Sequence, residues 1–282
     1  MKIIADGGST KIDWVLYDDD TVVSRCCSEG LNPSLLSQEA IVSSLRHVVE
    51  EHPAMLCTEK IEFYGAGCTV SASPVMADSL RTVFPSTRTV VVDSDMIGAA
   101  KVLCVDEEGI ACILGTGANS CLWDGKGIAM QTPALGYILG DEGSGAVLGK
   151  LFLNALYKGV LPVPMREDFE QEYGVDITGV IEHVYRMPRA NAWLASLAPF
   201  VLRHISDVKV RELVRTNFDM FIRRNILPYR RPDLPVSFVG SIAHHFQQPL
   251  SEVLTSHGLV LGTICQSPMD AFCLCRGGKE TL

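Results

Sequence analysis

The sequence predicts an α/β protein built from two similar domains, and three observations support this prediction. Short apolar runs that end at Gly-rich or Asp-rich turns predict β-strands. Longer segments with apolar residues at helical spacing predict helices between those strands. One strand–turn–strand pattern occurs twice, as IIADGGSTKIDWVL and as CILGTGANSCLW. Two such hairpins, one in each half of the chain, predict a duplicated architecture with a glycine-lined cleft between the halves.

Strands and helices alternate in the first half. The three strands that open the chain are joined by a Gly-rich and an Asp-rich turn and predict an antiparallel meander. The helix that follows carries Ile41, Leu45, Val48 and Val49 at helical spacing. The predicted elements are strands at 2–5, 12–17 and 21–27, a helix at 38–50, a strand at 61–64, a helix near 74–83 and a strand at 89–92.

The second half repeats the hairpin and then becomes mainly helical. Strands at 110–114 and 120–123 flank the turn Gly115-Thr116-Gly117. Helical apolar patterns follow at 191–206 and 208–227, and a buried strand at 236–239 ends at Gly240. We expect a domain boundary near 112–118. The predicted domains are 1–115 and 116–282, with a final helix that packs back toward the first domain.

Length and composition exclude several classes of protein. The chain has 282 residues, of which 47% are hydrophobic and 20% charged, as expected for one large or two ordinary globular domains. The formal charge of −9 and the lack of a Lys/Arg-rich run disfavour a nucleic-acid or anionic-membrane partner. The longest uncharged stretches reach about 15 residues, fewer than the roughly 20 of a membrane-spanning helix.

The start of the chain and its cysteines both favour an intracellular protein. Asp6 interrupts the first apolar run far short of the about 7–15 residues of a signal-peptide core, so we expect a cytoplasmic location. The ten cysteines include the pairs Cys26-Cys27 and Cys273-x-Cys275 but no Cys-x-x-Cys motif. We interpret them as reduced, apolar side chains that pack, with a metal or cluster site as the open alternative.

The first Gly-rich turn, from Asp6 to Lys11, has the features of a phosphate-binding loop. Two glycines allow backbone N–H groups to approach a polyphosphate, and the hydroxyls of Ser9 and Thr10 add donors. The Asp6 carboxylate suits Mg²⁺, which keeps several of its waters and needs few protein ligands. The alternative is an ordinary Asp-Gly hairpin turn.

The second Gly-rich turn, GTGANS from Gly115 to Ser120, carries the same pair of interpretations. It is either a phosphate loop or a tight hairpin. No G-x-x-x-x-G-K-[ST] motif occurs, and no G-x-G-x-x-G follows the first strand. A bound nucleotide would therefore lie between two hairpins rather than on a P-loop.

Three further segments place small or acidic residues where a strand ends or a helix begins. Asp95 follows a buried strand and is a candidate general base, with helix N-capping as the alternative for Asp93, Ser94 or Asp95. The segment GDEGSG at 140–145 opens a helix, either as capping chemistry or as a close approach to a ligand. At 239–243, VGSIA leaves room for a nucleoside or permits close packing.

The order of these loops resembles the actin-like ATPase superfamily. An Asp-Gly-Gly-x-Thr hairpin, a Gly-Thr-Gly hairpin and a late strand-Gly-Ser turn match its two phosphate motifs and its adenosine motif. Within that superfamily the chain resembles the N-acetylglucosamine kinases, which share a family with the ATPase subunits of benzoyl-CoA reductase and the activators of 2-hydroxyacyl-CoA dehydratases. That resemblance includes the segments GLNP at 30–33, DMIG at 95–98, GTGAN at 115–119 and GYILGDEGS at 136–144.

The resemblance implies two ribonuclease-H-like domains around a nucleotide and sugar cleft, and an ATP-dependent sugar kinase that phosphorylates an amino sugar, most readily N-acetylglucosamine on O6. It implies ATP and Mg²⁺ as cofactors, with Asp95 as the base that deprotonates the sugar hydroxyl and Asp6 as a magnesium ligand through water. The residues implied to bind ATP are Gly7, Gly8, Ser9, Thr10, Lys11, Gly115, Thr116, Gly117, Gly240 and Ser241. Those implied to bind the sugar are Asn32, Asp95, Ala118, Asn119, Ala134, Leu135, Gly136 and Asp141.

Two alternatives to a kinase follow from the same residues. An ATPase activator would couple hydrolysis to electron transfer through an iron–sulfur cluster shared across a dimer, and it would need an exposed cysteine. A non-catalytic sensor would keep the cleft without turnover, although the retention of both Asp6 and Asp95 disfavours it. Leu135 stands where the animal kinases carry Trp, and the segment 155–235 carries no motif that the resemblance matches. A homodimer is plausible for the family.

Overall fold

The computed structural model describes residues 1–8, 10–19 and 21–269. These residues form two compact units. Unit 1 contains Met1–Val102 together with Pro268 and Met269, and unit 2 contains Leu103–Ser267. The predicted division at 115/116 falls after the observed boundary between Val102 and Leu103. The strand Glu108–Leu114, which the prediction placed in the first domain, pairs with the strands Ala118–Asp124 and Pro235–Val239 of unit 2. The predicted final helix lies mostly outside the described residues.

Unit 1 contains a mixed five-stranded sheet in the order β3-β2-β1-β4-β5. The first three strands form the predicted antiparallel meander, and β4 and β5 run parallel to β1. The carboxyl ends of β1, β4 and β5 therefore meet at one edge of the sheet, which we call the carboxyl edge. The strands are β1 (Lys2–Gly7), β2 (Lys11–Asp18), β3 (Thr21–Glu29), β4 (Lys60–Gly65) and β5 (Thr89–Ser94).

Three helices and a 3-10 turn cover this sheet. The first helix buries Ile41, Leu45, Val48 and Val49, as the periodicity predicts, and begins at the cap Ser37, whose side chain accepts from the Ala40 amide. Met269 packs on the opposite sheet face with residues of β1, β2 and β4. The elements are α1 (Gln38–Glu51), a 3-10 turn (Pro53–Cys57), α2 (Ser73–Val83) and α3 (Asp95–Leu103).

Unit 2 repeats the strand order of unit 1. Its sheet runs β10-β9-β6-β7-β8, with β6, β7 and β8 antiparallel and β9 and β10 parallel to β6. This identical arrangement confirms the duplicated architecture and the α/β class. The strands are β6 (Glu108–Leu114), β7 (Ala118–Asp124), β8 (Ile128–Gln131), β9 (Pro235–Val239) and β10 (Val260–Cys265).

The helices of unit 2 cover its sheet with one aromatic-rich core. Phe152, Phe169 and Phe200 contact one another there with ring centroids 5.5–5.8 Å apart. The helices are α4 (Gly136–Leu139), α5 (Gly145–Tyr157), α6 (Val163–Tyr173), α7 (Ile177–Tyr185), α8 (Ala190–Ala195), α9 (Ala198–Arg203), α10 (Val208–Phe221), α11 (Ser241–His245) and α12 (Gln247–Ser256).

The prediction of one continuous helix at 191–206 is wrong. The chain forms two short helices, α8 and α9, because Pro199 has no amide hydrogen to bond the carbonyl of Ala195 and stands in the first turn of α9. The second pattern, at 208–227, is helical over its length. It changes from α10 to a π-helix at Ile222–Ile226 and then to a 3-10 turn at Leu227–Tyr229.

The described cysteines are unbonded thiols. Cys112 and Cys121 are fully buried in the core of unit 2, where burial raises the pKa of the Cys121 thiol to about 12. This is the packing role that the sequence predicts. Cys27 and Cys57 are exposed, while Cys273 and Cys275 lie outside the described residues.

Candidate active site

Asp6 lies at the carboxyl edge of unit 1. It is the next-to-last residue of β1, paired in register with Asp13 of β2 and Tyr64 of β4. Burial and, to a smaller extent, the negative charges of Asp95 and Asp13 raise the pKa of Asp6 to about 7, while Lys11 opposes them. Burial, more than the neighbouring charges, therefore disfavours the ionised form of Asp6.

Asp95 begins α3, directly after β5 ends at Ser94. Its Oδ1 accepts a hydrogen bond from the Met96 amide at 2.9 Å, which fixes the side chain at the helix start. Burial raises the pKa of Asp95, and the bonding backbone amides oppose this. A half-buried carboxyl with a raised pKa, near a second such carboxyl, is suited to accept a proton.

The other two residues of the Asp93-Ser94-Asp95 segment have different roles. Asp93 lies 3.6 Å from the Lys101 ammonium, and Lys101 also lies over the ring of Tyr64. The hydroxyl of Ser94 accepts from the Ile97 amide at 3.3 Å and so caps α3. Ser94 therefore supplies the cap that the sequence offered as the alternative, and the general-base role of Asp95 stays a prediction.

The first Gly-rich turn joins β1 to β2 beside Asp6. Gly7 is buried, and a Cβ there would lie 3.1 Å from the Phe63 ring, whereas Gly8 and Thr10 are exposed. The Lys11 ammonium lies 2.8 Å from an oxygen of Asp13, whose other oxygen accepts from the Cys27 thiol. Ser9, predicted to bind ATP, lies outside the described residues.

Asn32 is held in the same unit by Gly67, which follows β4. A Cβ at Gly67 would lie 1.9 Å from Oδ1 of Asn32, and the backbone of Gly67 has φ +78°. Ser34 connects the two segments, because its amide donates to Oδ1 of Asn32 at 2.9 Å and its hydroxyl donates to the Gly67 carbonyl at 2.8 Å. Gly67 is absent from the site residues predicted from sequence. Its signal was the pair of glycines, Gly65 and Gly67, at the end of a buried strand.

In unit 2 the second Gly-rich turn is tied to the start of α5. The amide of Gly145 donates to the Gly115 carbonyl at 2.8 Å, and the amide of Ala146 donates to the Thr116 carbonyl at 3.2 Å. A Cβ on Gly117 would lie 3.0 Å from Oδ2 of Asp141. The predicted phosphate turn and the predicted sugar-binding carboxylate are therefore neighbours.

Asp141 is half-buried and adopts a left-handed backbone with φ +54°. Burial raises its pKa, the Ala118 amide lowers it by bonding the carboxylate, and Glu142 raises it again. Asn119 lies on β7, where its Oδ1 accepts from the amide of Ser120 and from the side chain of Gln131. Of the predicted sugar-binding residues, Ala118 and Asp141 are therefore joined by a hydrogen bond.

The predicted sugar-wall segment is open to solvent. Ala134, Leu135 and Gly136 are all exposed, with Leu135 at 58%, and Ile138 of α4 is 73% exposed. The ammonium of Lys150 donates to the Tyr137 carbonyl and attaches α4 to α5. The segment therefore exposes Leu135 and Ile138 to solvent, while Tyr137 between them packs against the core of unit 2.

Gly240 lies against the second Gly-rich turn. Its backbone has φ +122°, and a Cβ there would lie 2.3 Å from the Leu114 carbonyl oxygen and 3.3 Å from the Gly115 nitrogen. No other residue type fits this position. The exposed Ser241 begins α11. The predicted nucleoside turn and the predicted phosphate turn are thus adjacent in unit 2.

Metal and membrane features are limited. Within the described ranges, no group of three or more His, Cys, Asp or Glu side chains could hold a metal ion. A metal at the carboxyl edge would need water and other groups to complete its ligands. Among the same residues, no helix is long and apolar enough to cross a membrane.

The full chain is similar to a solved structure from Porphyromonas gingivalis, a "putative N-acetylglucosamine kinase". The two share 44% identity with a TM-score of 0.96, and the match covers 99% of this chain and 100% of the other. No family model and no curated protein matches the chain.

Two more distant structures share the fold. A "putative N-acetylglucosamine kinase" from Chromobacterium violaceum is 21% identical with a TM-score of 0.73, covering 98% of each chain. A ROK family glucokinase from Streptomyces griseus, solved with glucose and AMPPNP, is 13% identical with a TM-score of 0.59, covering 98% of this chain and 97% of that one. The predicted actin-like, sugar-kinase type of fold is confirmed by these matches.

Proposed function

Since this chain belongs to the N-acetylglucosamine kinase family, with its actin-like ATPase fold, we propose that it transfers the γ-phosphoryl group of ATP to an amino sugar. The favoured acceptor is N-acetylglucosamine and the product is N-acetylglucosamine 6-phosphate. The observation that carries this proposal is the 44% identity to the Porphyromonas gingivalis protein over 99% of this chain. We keep a cytoplasmic location and a homodimer as predictions.

Asp95 is the proposed general base. As the O6 oxygen attacks the γ-phosphorus, its proton passes to the Asp95 carboxylate, the new O–P bond forms, and the bond to the β-phosphate breaks to release ADP. The raised pKa of Asp95 supports this role, because a base works best when its pKa lies near the working pH. The Met96 amide holds the carboxylate in place before the substrate arrives.

The carboxyl edge fits Mg²⁺ by its charge. Burial and the charges of Asp95 and Asp13 raise the pKa of Asp6 to about 7, so a divalent cation would relieve the repulsion among these carboxylates. Asp6 would hold the metal through water. When bound with ATP, Mg²⁺ would neutralise charge on the transferred phosphoryl group.

Within unit 2 we propose further residues that contact ATP and the sugar. The backbone at Gly115, Thr116 and Gly117 would face the phosphates, because its turn carries no bulky side chain and is fixed by α5. Gly240 would lie against the nucleoside. Asp141 would accept hydrogen bonds from sugar hydroxyls, and its ordering by the Ala118 amide supports this role.

The test is an assay with purified protein, MgATP and a panel of hexoses and N-acetylhexosamines. ADP release is followed beside the mass of the sugar product. We expect ADP together with N-acetylglucosamine that is heavier by one phosphoryl group. Without ATP the mass of the sugar should not change.

Two results would contradict the proposal. ADP without a phosphorylated sugar would favour the ATPase activator, and iron analysis of the same sample would then test for its cluster. Neither ADP nor phosphosugar with any acceptor would favour the non-catalytic sensor.

A further inference from the structure

The loop that carries Asp141 has an unusual backbone. Between α4 and α5, Asp141 has φ +54° and Gly143 has φ +84°. An aspartate in the left-handed region is uncommon and needs support from its surroundings. The amide of Ser144 donates to the Asp141 carbonyl at 3.0 Å, which closes the turn but does not attach it to the rest of unit 2.

Asn217 provides that attachment. This residue lies on α10 and is 0% exposed. Its Oδ1 accepts from the Gly143 amide at 2.9 Å, and its Nδ2 donates to the Ser144 carbonyl at 3.1 Å. One side chain thus satisfies two buried backbone groups of opposite kind. A carboxylate could serve only the amide, and an apolar side chain neither.

A second contact joins the same loop to the end of α10. The carboxylate of Glu142, which is 8% exposed, lies 2.6 Å from the Arg224 guanidinium. Arg224 belongs to the π-helix that continues α10, and such helices recur at functional sites. Residues 142–144 are therefore held from one helix at two points, while the Asp141 carboxylate accepts from the Ala118 amide and keeps further acceptor positions for a ligand.

We propose that Asn217 is a positioning residue that fixes Asp141 for sugar binding. The inference rests on the proposed function, since it assumes that Asp141 contacts the sugar. Asn217 acts through the backbone of residues 143 and 144, next to Asp141, and needs no contact with substrate. The second Gly-rich turn is fixed separately by the amides of Gly145 and Ala146. Loss of Asn217 should therefore weaken sugar binding much more than ATP binding.

The experiment measures sugar affinity by calorimetry and steady-state constants for sugar and ATP. The probe is N-acetylglucosamine, and the variants are Asn217→Leu, Asp141→Ala and their double mutant. Asn217→Leu should raise the sugar Kd about ten- to a hundredfold, because it leaves two buried backbone groups unpaired. The KM for ATP should change less than about threefold. In the Asp141→Ala background the same substitution should add little, because both changes remove one function.

Two further variants separate positioning from stability. Val210→Ala removes a fully buried side chain two turns earlier on α10; it should lower the melting temperature and leave the sugar Kd unchanged. Asn217→Asp keeps an acceptor for the Gly143 amide and should weaken sugar binding less than Asn217→Leu does, provided Asn217 acts by hydrogen bonding. Hydrogen exchange of a peptide spanning 140–146 should speed up in Asn217→Leu but not in Val210→Ala.

The outcomes distinguish this inference from the function it rests on. If the wild type binds and phosphorylates the sugar while Asn217→Leu keeps its affinity, the positioning role is refuted and the kinase stands. An additive loss in the double mutant refutes it in the same way, because the two residues would then act independently. If the wild type neither binds nor phosphorylates any sugar, the proposed function fails and this inference fails with it.

Discussion

Asp95→Asn should abolish most turnover without disturbing the fold. An asparagine keeps an oxygen that can accept from the Met96 amide, a bond of 2.9 Å in the wild type, so the start of α3 should be preserved. What is lost is the ability to take the hydroxyl proton. A general base contributes about 10²–10⁴-fold, which corresponds to roughly 3–5 kcal/mol of barrier, so kcat should fall by that factor.

The same substitution should raise stability at neutral pH. The pKa of Asp95 is raised by burial, and a carboxyl whose folded pKa exceeds its unfolded value destabilises the fold at every pH above the unfolded value. Removing its charge also removes one cause of the raised pKa of Asp6. We therefore expect a higher melting temperature for Asp95→Asn than for wild type at pH 7.5, and a smaller difference at pH 4.

The assay compares initial rates of phosphosugar formation at saturating MgATP and sugar, with sugar affinity measured by calorimetry. Asp93→Asn is the matched control, because Asp93 lies two residues away and pairs with Lys101 at 3.6 Å. It should keep kcat within about threefold, as expected for a partly exposed ion pair. If Asp95→Asn retains more than about a tenth of the wild-type kcat, the general-base assignment is refuted.

Three other substitutions test the site in the same way. Because the pKa of Asp6 is raised to about 7, its ionisation destabilises the fold increasingly from about pH 4 to pH 7. The gain in melting temperature that Asp6→Asn brings should therefore grow over that range and then level off. A gain that stays constant with pH would contradict this prediction. Gly67→Ala should displace Asn32 and weaken sugar binding at least about tenfold. The control is Gly174→Ala, where the backbone φ is also positive but no atom lies near the added Cβ, so it should only lower stability. Equal sugar affinities for the two variants would contradict this prediction. Gly240→Ala brings a Cβ to 2.3 Å from the Leu114 carbonyl oxygen and should raise the KM for ATP more than the KM for sugar. An unchanged KM for ATP would count against the nucleoside role of Gly240.

The sheets could be predicted well where burial follows a simple period. The strand pattern at 12–17 and the helical spacing of Ile41, Leu45 and Val48 both correspond to observed elements. The helix packs one face on a core, whereas β2 is buried on both faces, with Ile12, Trp14 and Leu16 in one apolar cluster and Val15 and Tyr17 in another. Strand β10 was missed. Its sequence VLGTIC contains a glycine, which weakens a strand pattern, and its pairing with β9 establishes it as a strand.

The break between α8 and α9 shows where periodicity misleads. Apolar residues continue at helical spacing across 191–206 because α8 and α9 both bury apolar side chains in the core of unit 2. Pro199 decides the outcome, since it cannot donate the hydrogen bond that a continuous helix needs. A proline within an apolar pattern should have predicted a boundary at this point.

Some residues of the candidate site can likewise be predicted from the sequence, and others only from the structure. The Gly-rich turns and Asp95 are visible in sequence because small and acidic residues cluster where strands end. Asn217 is not visible, since a polar residue inside an amphipathic helix ordinarily faces water, and only the tertiary structure shows that this one is buried. Gly67 is similar, because its importance comes from its contact with Asn32, far away in sequence.

The most direct test of the central claim is the fate of the γ-phosphoryl group, followed by ³¹P NMR during incubation with MgATP and N-acetylglucosamine. The account predicts one sugar phosphomonoester for each ADP, coupled to the protons on carbon 6, with almost no inorganic phosphate. Asp95→Asn should show neither product over the same time. Inorganic phosphate that accumulates with ADP, without a sugar phosphomonoester, would contradict phosphoryl transfer to an amino sugar.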